Sequence, residues 1–83
     1  MFSIITRNDR GLLPKCDIES ALFAYNYAVF MADETKHAAA IFDSESGCVV
    51  LNADRNSVWF DRTFLAQVKH EREEEILPRK AKA

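Results

Sequence analysis

A small single α+β domain in the order β-α-β-β-β-α, with an antiparallel sheet of three to four strands covered by two helices, is the fold the sequence predicts. Short runs rich in β-branched and aromatic residues are separated by polar turns, which is strand patterning. Two longer stretches each follow an aspartate able to cap a helix. All of this is held in 83 residues, enough for one domain near the lower limit of a self-sufficient core. A meander of strands with both helices on one face is the natural arrangement of such elements. The domain is expected over residues 1–78, and residues 79–83 are expected to be a short basic tail without order.

In chain order, Phe2 to Thr6 carries a β-branched pair and reads as the first strand. Arg7 to Lys15 holds Asn8-Asp9 and Gly11, ends beside Pro14, and reads as a polar loop. Asp17 is placed to cap a helix over Ile18 to Ala32, with Glu19 in the first turn, where the helix dipole favours an acid. Asp33-Glu34-Thr35 closes that helix without a glycine. His37 to Asp43 is ambiguous: three alanines favour helix, whereas its length, Ile41-Phe42 and the turn that follows favour strand.

Ser44 to Gly47 reads as a hairpin loop with a glycine for a left-handed position. Cys48 to Ala53 is the best strand in the chain, and Asp54 to Ser57 is a tight turn into the short strand Ser57 to Phe60. Asp61 caps the last helix, expected from Arg62 to about Ile76 because Pro78 opposes extension. Phe64, Leu65 and Val68 make its apolar stripe; Arg72 and Glu75 then occupy the same face, so the second half is expected to reach solvent or a subunit boundary. Glu73-Glu74-Glu75 near the C-terminus is unfavourable by a few tenths of a kcal/mol per residue, and fraying is expected there.

The first helix is unusual. At 100° per residue, Ile18, Ala21, Leu22, Tyr25, Ala28, Val29 and Ala32 fall on one side, while Phe23, Tyr27, Phe30 and Met31 fall roughly opposite. Only Glu19, Asn26 and Asp33 form a polar wedge. A surface helix in a soluble domain needs one apolar stripe, and a second has to meet another layer, a second copy or a partner. Covering both faces takes three layers, which 83 residues barely build. A buried Phe side chain contributes about 2–3 kcal/mol, and Tyr, Trp, Phe and Met are concentrated at interface centres. Phe23, Tyr27, Phe30 and Met31, joined by Trp59 on the last strand, are therefore the expected partner-binding residues.

Composition restricts the alternatives. The chain is 48% hydrophobic and 29% charged, so it is globular. A net charge of −2 argues against non-specific binding to nucleic acid, which needs clustered Lys and Arg. Cys16 and Cys48 form no C-x-x-C pair and are expected to be free buried thiols in a reducing compartment. No signal peptide is read at the N-terminus, and the longest apolar run is far below the ~18 residues of a span. A cytoplasmic location, bacterial or host-cell, is expected, without membrane contact.

No grouping of residues predicts catalysis. His70 and Glu74 have the i, i+4 spacing of two metal ligands but lack a third, and a solvated ion pair is the expected outcome. Cys16 and His37 would need to meet, and an orienting Asn or Asp is not identifiable. Glu71, Glu73, Glu74 and Glu75 point outward in different directions and read as a solvated charge run, unlike a hard-cation site. The Asp43-to-Gly47 loop lacks the spacing of an EF-hand. No enzyme activity, cofactor or metal is expected.

From Asp17 onward the order helix–strand–strand–strand–helix is similar to that of a double-stranded-RNA-binding domain. Such domains hold phosphates with a lysine cluster at the start of the last helix, whereas this chain has Asp61-Arg62-Thr63-Phe64 and then Lys69. The resemblance implies topology alone, and nucleic-acid association is the alternative function. The leading expectation is a small non-enzymatic interaction protein, homodimeric or docked on a larger cytoplasmic protein through the aromatic surface. Its general character is that of phage-type inhibitors and modulators of the anti-defence or host-takeover class, an analogy of type only.

Overall fold

In a computed structural model, the backbone of residues 1–33 and 37–82 and the side chains of residues 1–33 and 37–74 are described. Strand β1 (Phe2–Asn8) alternates, sending Phe2, Ile4 and Thr6 inward and Ile5 and Arg7 outward. It turns at Asp9-Arg10, where Asn8 Oδ1 accepts from the Arg10 N–H at 2.9 Å. Gly11 takes φ +121, a left-handed-side conformation that favours glycine. Two short strands then return along the same edge of β1: β2 (Gly11–Leu12) and β3 (Cys16–Ile18).

The expected loop over Arg7 to Lys15 is therefore partly a hairpin. Ile18 belongs to a strand paired with Phe2, and the helix begins later than expected. Ser20, not Asp17, caps α1 (Ala21–Ala32). Asp17 instead accepts a 2.7 Å hydrogen bond from the Ser3 hydroxyl across the β1–β3 pair. The expected close at Asp33-Glu34-Thr35 lies partly outside the described residues; α1 ends at Ala32 with Asp33 as its C-cap.

Strands β4 (Ala38–Asp43), β5 (Cys48–Asp54) and β6 (Val58–Phe60) form the expected meander, and the ambiguous His37-to-Asp43 segment is strand from Ala38. β4 inserts between β1 and β5, so the sheet runs β2-β1-β4-β5-β6, antiparallel throughout, with β3 beside β2 on β1. Six strands replace the expected three to four because two short segments gain backbone partners on β1. Gly47 closes the β4–β5 hairpin at φ +73. Asp54 Oδ1 accepts from the Asn56 and Ser57 N–H groups at 2.8 and 2.9 Å and shapes the β5–β6 turn.

Both helices lie on one side of the sheet. α1 rests across β4 and its neighbours, and its buried residues are Leu22 and four alanines, Ala21, Ala24, Ala28 and Ala32. Small side chains let the helix approach a floor of Ile4, Ile41 and Leu51, which are in register on adjacent strands and fully buried. Helix α2 (Arg62–Lys82) starts at Asp61, whose Oδ2 accepts from the Thr63 and Phe64 N–H groups as expected. Phe64 and Val68 enter the core, with the Phe64 ring edge-on to Phe2 at 5.4 Å. α2 continues past the expected end near Ile76 to Lys82. Pro78 removes one N–H but is flanked by strong helix formers on both sides. Residues 79–82 of the expected tail thus have helical backbone.

Glu71 corrects the reading of the Glu71–Glu75 run as wholly solvated. Its carboxylate reaches back to the start of α1 and accepts from the Ser20 hydroxyl at 2.6 Å and from the Ala21 and Leu22 N–H groups at 3.0 and 3.2 Å. Those N–H groups have no partner within the helix, and an anion there is favoured by the dipole. Burial pushes the Glu71 carboxyl up, but the hydrogen bonds from Ser20, Leu22, Ala21 and Gln67 together hold it below its ordinary value of 4.5. A depressed folded-state pKa means stability that is present above the ordinary value and lost as pH falls through the folded one. Glu71→Gln is expected to cost about 1 kcal/mol at neutral pH. In urea unfolding across pH, the gap between wild type and variant should close on acidification below the ordinary glutamate range; a gap independent of pH would contradict the ionised cap.

Candidate functional site

Phe23, Tyr27 and Phe30 emerge from the side of α1 that faces away from the sheet. Their exposures are 63, 38 and 66%, far from those of the buried alanines on the opposite side. Spacings of four and three residues place the three rings in one row along the helix. Asn26 borders the row, and Met31 sits at its flank, half-buried and packed against the core. The two-faced character read from the sequence is thus realised, with three adjustments: Ala24 joins the buried side, Val29 is partly exposed and Met31 turns toward the core. Among the described residues no third layer covers the rings.

Trp59 is not part of this row. It is 56% exposed and pairs with Asn52, between the inward-facing Leu51 and Ala53. Directly paired residues on neighbouring strands share a face, so Trp59 lies on the sheet side opposite both helices. Sequence reasoning joined it to Phe23 and Phe30 by residue type. The β5–β6 register separates them.

That opposite side is a second apolar surface, which the sequence reading missed. Ile5, Ala40, Asn52 and Trp59 form one row across β1, β4, β5 and β6, and Phe42 pairs with Val49 in the next. Ile5, Phe42 and Val49 are 40, 36 and 46% exposed. The alternation of β1 already carries part of the signal, since Ile5 falls between the inward Ile4 and Thr6. A shift of register between Ile41 and Phe42 buries Val50 and turns Val49 outward. That bulge is not visible in the one-dimensional pattern.

The other candidate groups stay apart. His70 Nε2 lies 2.9 Å from Glu74 Oε1 on exposed α2, the expected surface pair. Cys16 is half-buried on β3 and Cys48 is exposed at the start of β5, so the expectation of two buried thiols is corrected. Cys48 opens an edge of the hairpin, where its thiol points to the Ser46 carbonyl at 3.6 Å. His37 precedes β4 with Nδ1 buried and, among the described residues, without a hydrogen-bond partner. Among the described residues no three His, Cys, Asp or Glu side chains converge on one point. No described helix is long and apolar enough to cross a membrane. At the start of α2 only Arg62 is basic before Lys69, so a phosphate-holding cluster does not form there. Compared with known proteins, the chain matches no family model, no curated protein and no solved structure.

Proposed function

We propose that this chain is a non-enzymatic interaction protein that docks the outer face of α1 into an apolar groove of a larger protein. One observation carries the reading: Phe23, Tyr27 and Phe30 are exposed at i, i+4 and i+7 on a helix whose opposite side is locked to the sheet. That is the anchor spacing with which an amphipathic helix occupies a groove. The supporting fold makes the helix rigid before binding, which lowers the ordering cost of association. Aromatic anchors of this kind dominate binding energy where they are fully desolvated. An inhibitor or modulator of a cytoplasmic protein is the role that fits such a surface. The alternative of nucleic-acid association has the helix–strand–strand–strand–helix order in its favour, but it lacks clustered cations to release counterions.

Photo-cross-linking in the source cells tests the proposal. A benzophenone side chain in place of Phe30 is expected to give one discrete protein adduct, stable in high salt. The same group at Glu45, on the hairpin loop on another part of the surface, is expected to give none. Adducts of equal yield from both positions, or adducts to nucleic acid that vanish with salt, would contradict it.

A further inference from the structure

We propose that the sheet face opposite the helices is a two-fold interface with a second copy of this chain, with the axis running along β4. A one-sided antiparallel sheet ordinarily shows polar residues on its open face. Here Ile5, Ala40, Phe42, Val49 and Trp59 share that face with Ser3, Asn52, Arg7 and Asp54, and Ile5, Phe42, Val49 and Trp59 are each more than one-third exposed. Six strands holding 28 residues, at about 4.8 Å spacing and about 3.3 Å per residue, make a face of roughly 440 Å² before side-chain relief. Specific association begins near ~500 Å² from each partner, so this face reaches the range only when nearly all of it is covered. A second sheet packed face to face covers it in that way, about 10 Å distant and with strands nearly aligned.

Charge placement selects a second copy as the occupant. Arg7, Ala38 and Asp54 form one row across β1, β4 and β5. Arg7 and Asp54 flank β4 at two strand spacings, about 9.6 Å. Among the described residues the ion pairs are Lys15–Asp17 and His70–Glu74, and neither uses Arg7 or Asp54. The turn bonds to Asp54 all use Oδ1, leaving Oδ2 to meet a partner. A two-fold axis lying in the face along β4 carries each Arg7 over the other copy's Asp54, twice. The same axis sets Ala38, Ala40 and Phe42 against their own copies, and the two alanines permit close approach along that line.

Sedimentation equilibrium on the full chain decides. The wild type is expected to be a dimer, and Phe42→Glu a monomer with an unchanged circular dichroism spectrum. Phe23→Glu is expected to remain dimeric, which separates this interface from the α1 surface. Arg7→Asp alone and Asp54→Lys alone should each weaken the dimer at least tenfold, and an equimolar mixture of the two should form heterodimers at least tenfold tighter than either homodimer. That mixture still decides if Phe42→Glu fails to fold. A wild type that stays monomeric up to on the order of 100 µM overturns the proposal. So does a dimer broken by Phe23→Glu but not Phe42→Glu, or one indifferent to Arg7→Asp.

Discussion

Ile41→Ala is expected to lower the unfolding free energy by about 3–4 kcal/mol, the range for truncating a fully buried aliphatic side chain. Ile41 sits on the central strand between Ile4 and Leu51, all three with no exposed surface, beneath the alanine side of α1. At about 0.05–0.15 kcal/mol per residue, a chain of this length has a total stability of roughly 4–12 kcal/mol. The substitution therefore removes a large share of it. A cavity there cannot be filled easily, because the opposing helix presents alanines, which have no rotamers with which to relax. In the monomeric Phe42→Glu background, Ile5→Ala, one residue along from Ile4 but on the open face, is expected to cost under about 1 kcal/mol. Urea midpoints for the two variants measure the contrast, and similar losses for both would contradict the assignment of faces.

Phe23→Asp combined with Phe30→Asp is expected to abolish docking through α1. Each aromatic anchor in a groove is worth about 2 kcal/mol or more, so the combined loss in affinity should exceed about 30-fold even if the effects are far from additive. Loss of the Phe30-region adduct in cells, with Tyr27 now carrying the photo-reactive group, reports the effect. An undiminished adduct would place the partner elsewhere on the molecule.

Elements stabilised by neighbours in the chain were the legible ones. The Ser44-to-Gly47 loop, the Asp54 turn and the Asp61 cap depend on side chain-to-backbone bonds spanning two or three residues, and each stands where the pattern places it. Elements stabilised from a distance were not. Cys16–Ile18 is a strand only because β1 lies beside it, and its three residues carry no periodicity of their own. Glu71 acts on α1 from some fifty positions away, so its carboxylate was indistinguishable from Glu73 and Glu74 in the charge run. The start of α1 moved to Ser20 for the same reason: Ser20 accepts from the Phe23 N–H while donating to Glu71, and Asp17 is occupied by Ser3.

The candidate surface divides similarly. Phe23, Tyr27 and Phe30 lie within a single helix, where spacing alone decides which side they share, and they emerge together. Trp59 needed the register of β6 on β5, and the open sheet face needed the bulge at Ile41/Phe42 as well. Neither can be read without knowing which strands are neighbours. The result is a molecule with two apolar surfaces on opposite sides of one thin core, one borne by a helix and one by a sheet.

Whether the aromatic row on α1 is surface or core is measured most directly by the unfolding free energy of the Phe23→Asp/Phe30→Asp variant in urea. As solvent-facing rings, they should be replaceable with a change of about 0.5–1 kcal/mol in total, an unaltered denaturant slope and an intact circular dichroism spectrum. A loss of about 3 kcal/mol or more, the cost of opening a packed interior, would show that the row is covered in the folded chain and would remove the basis for docking through α1.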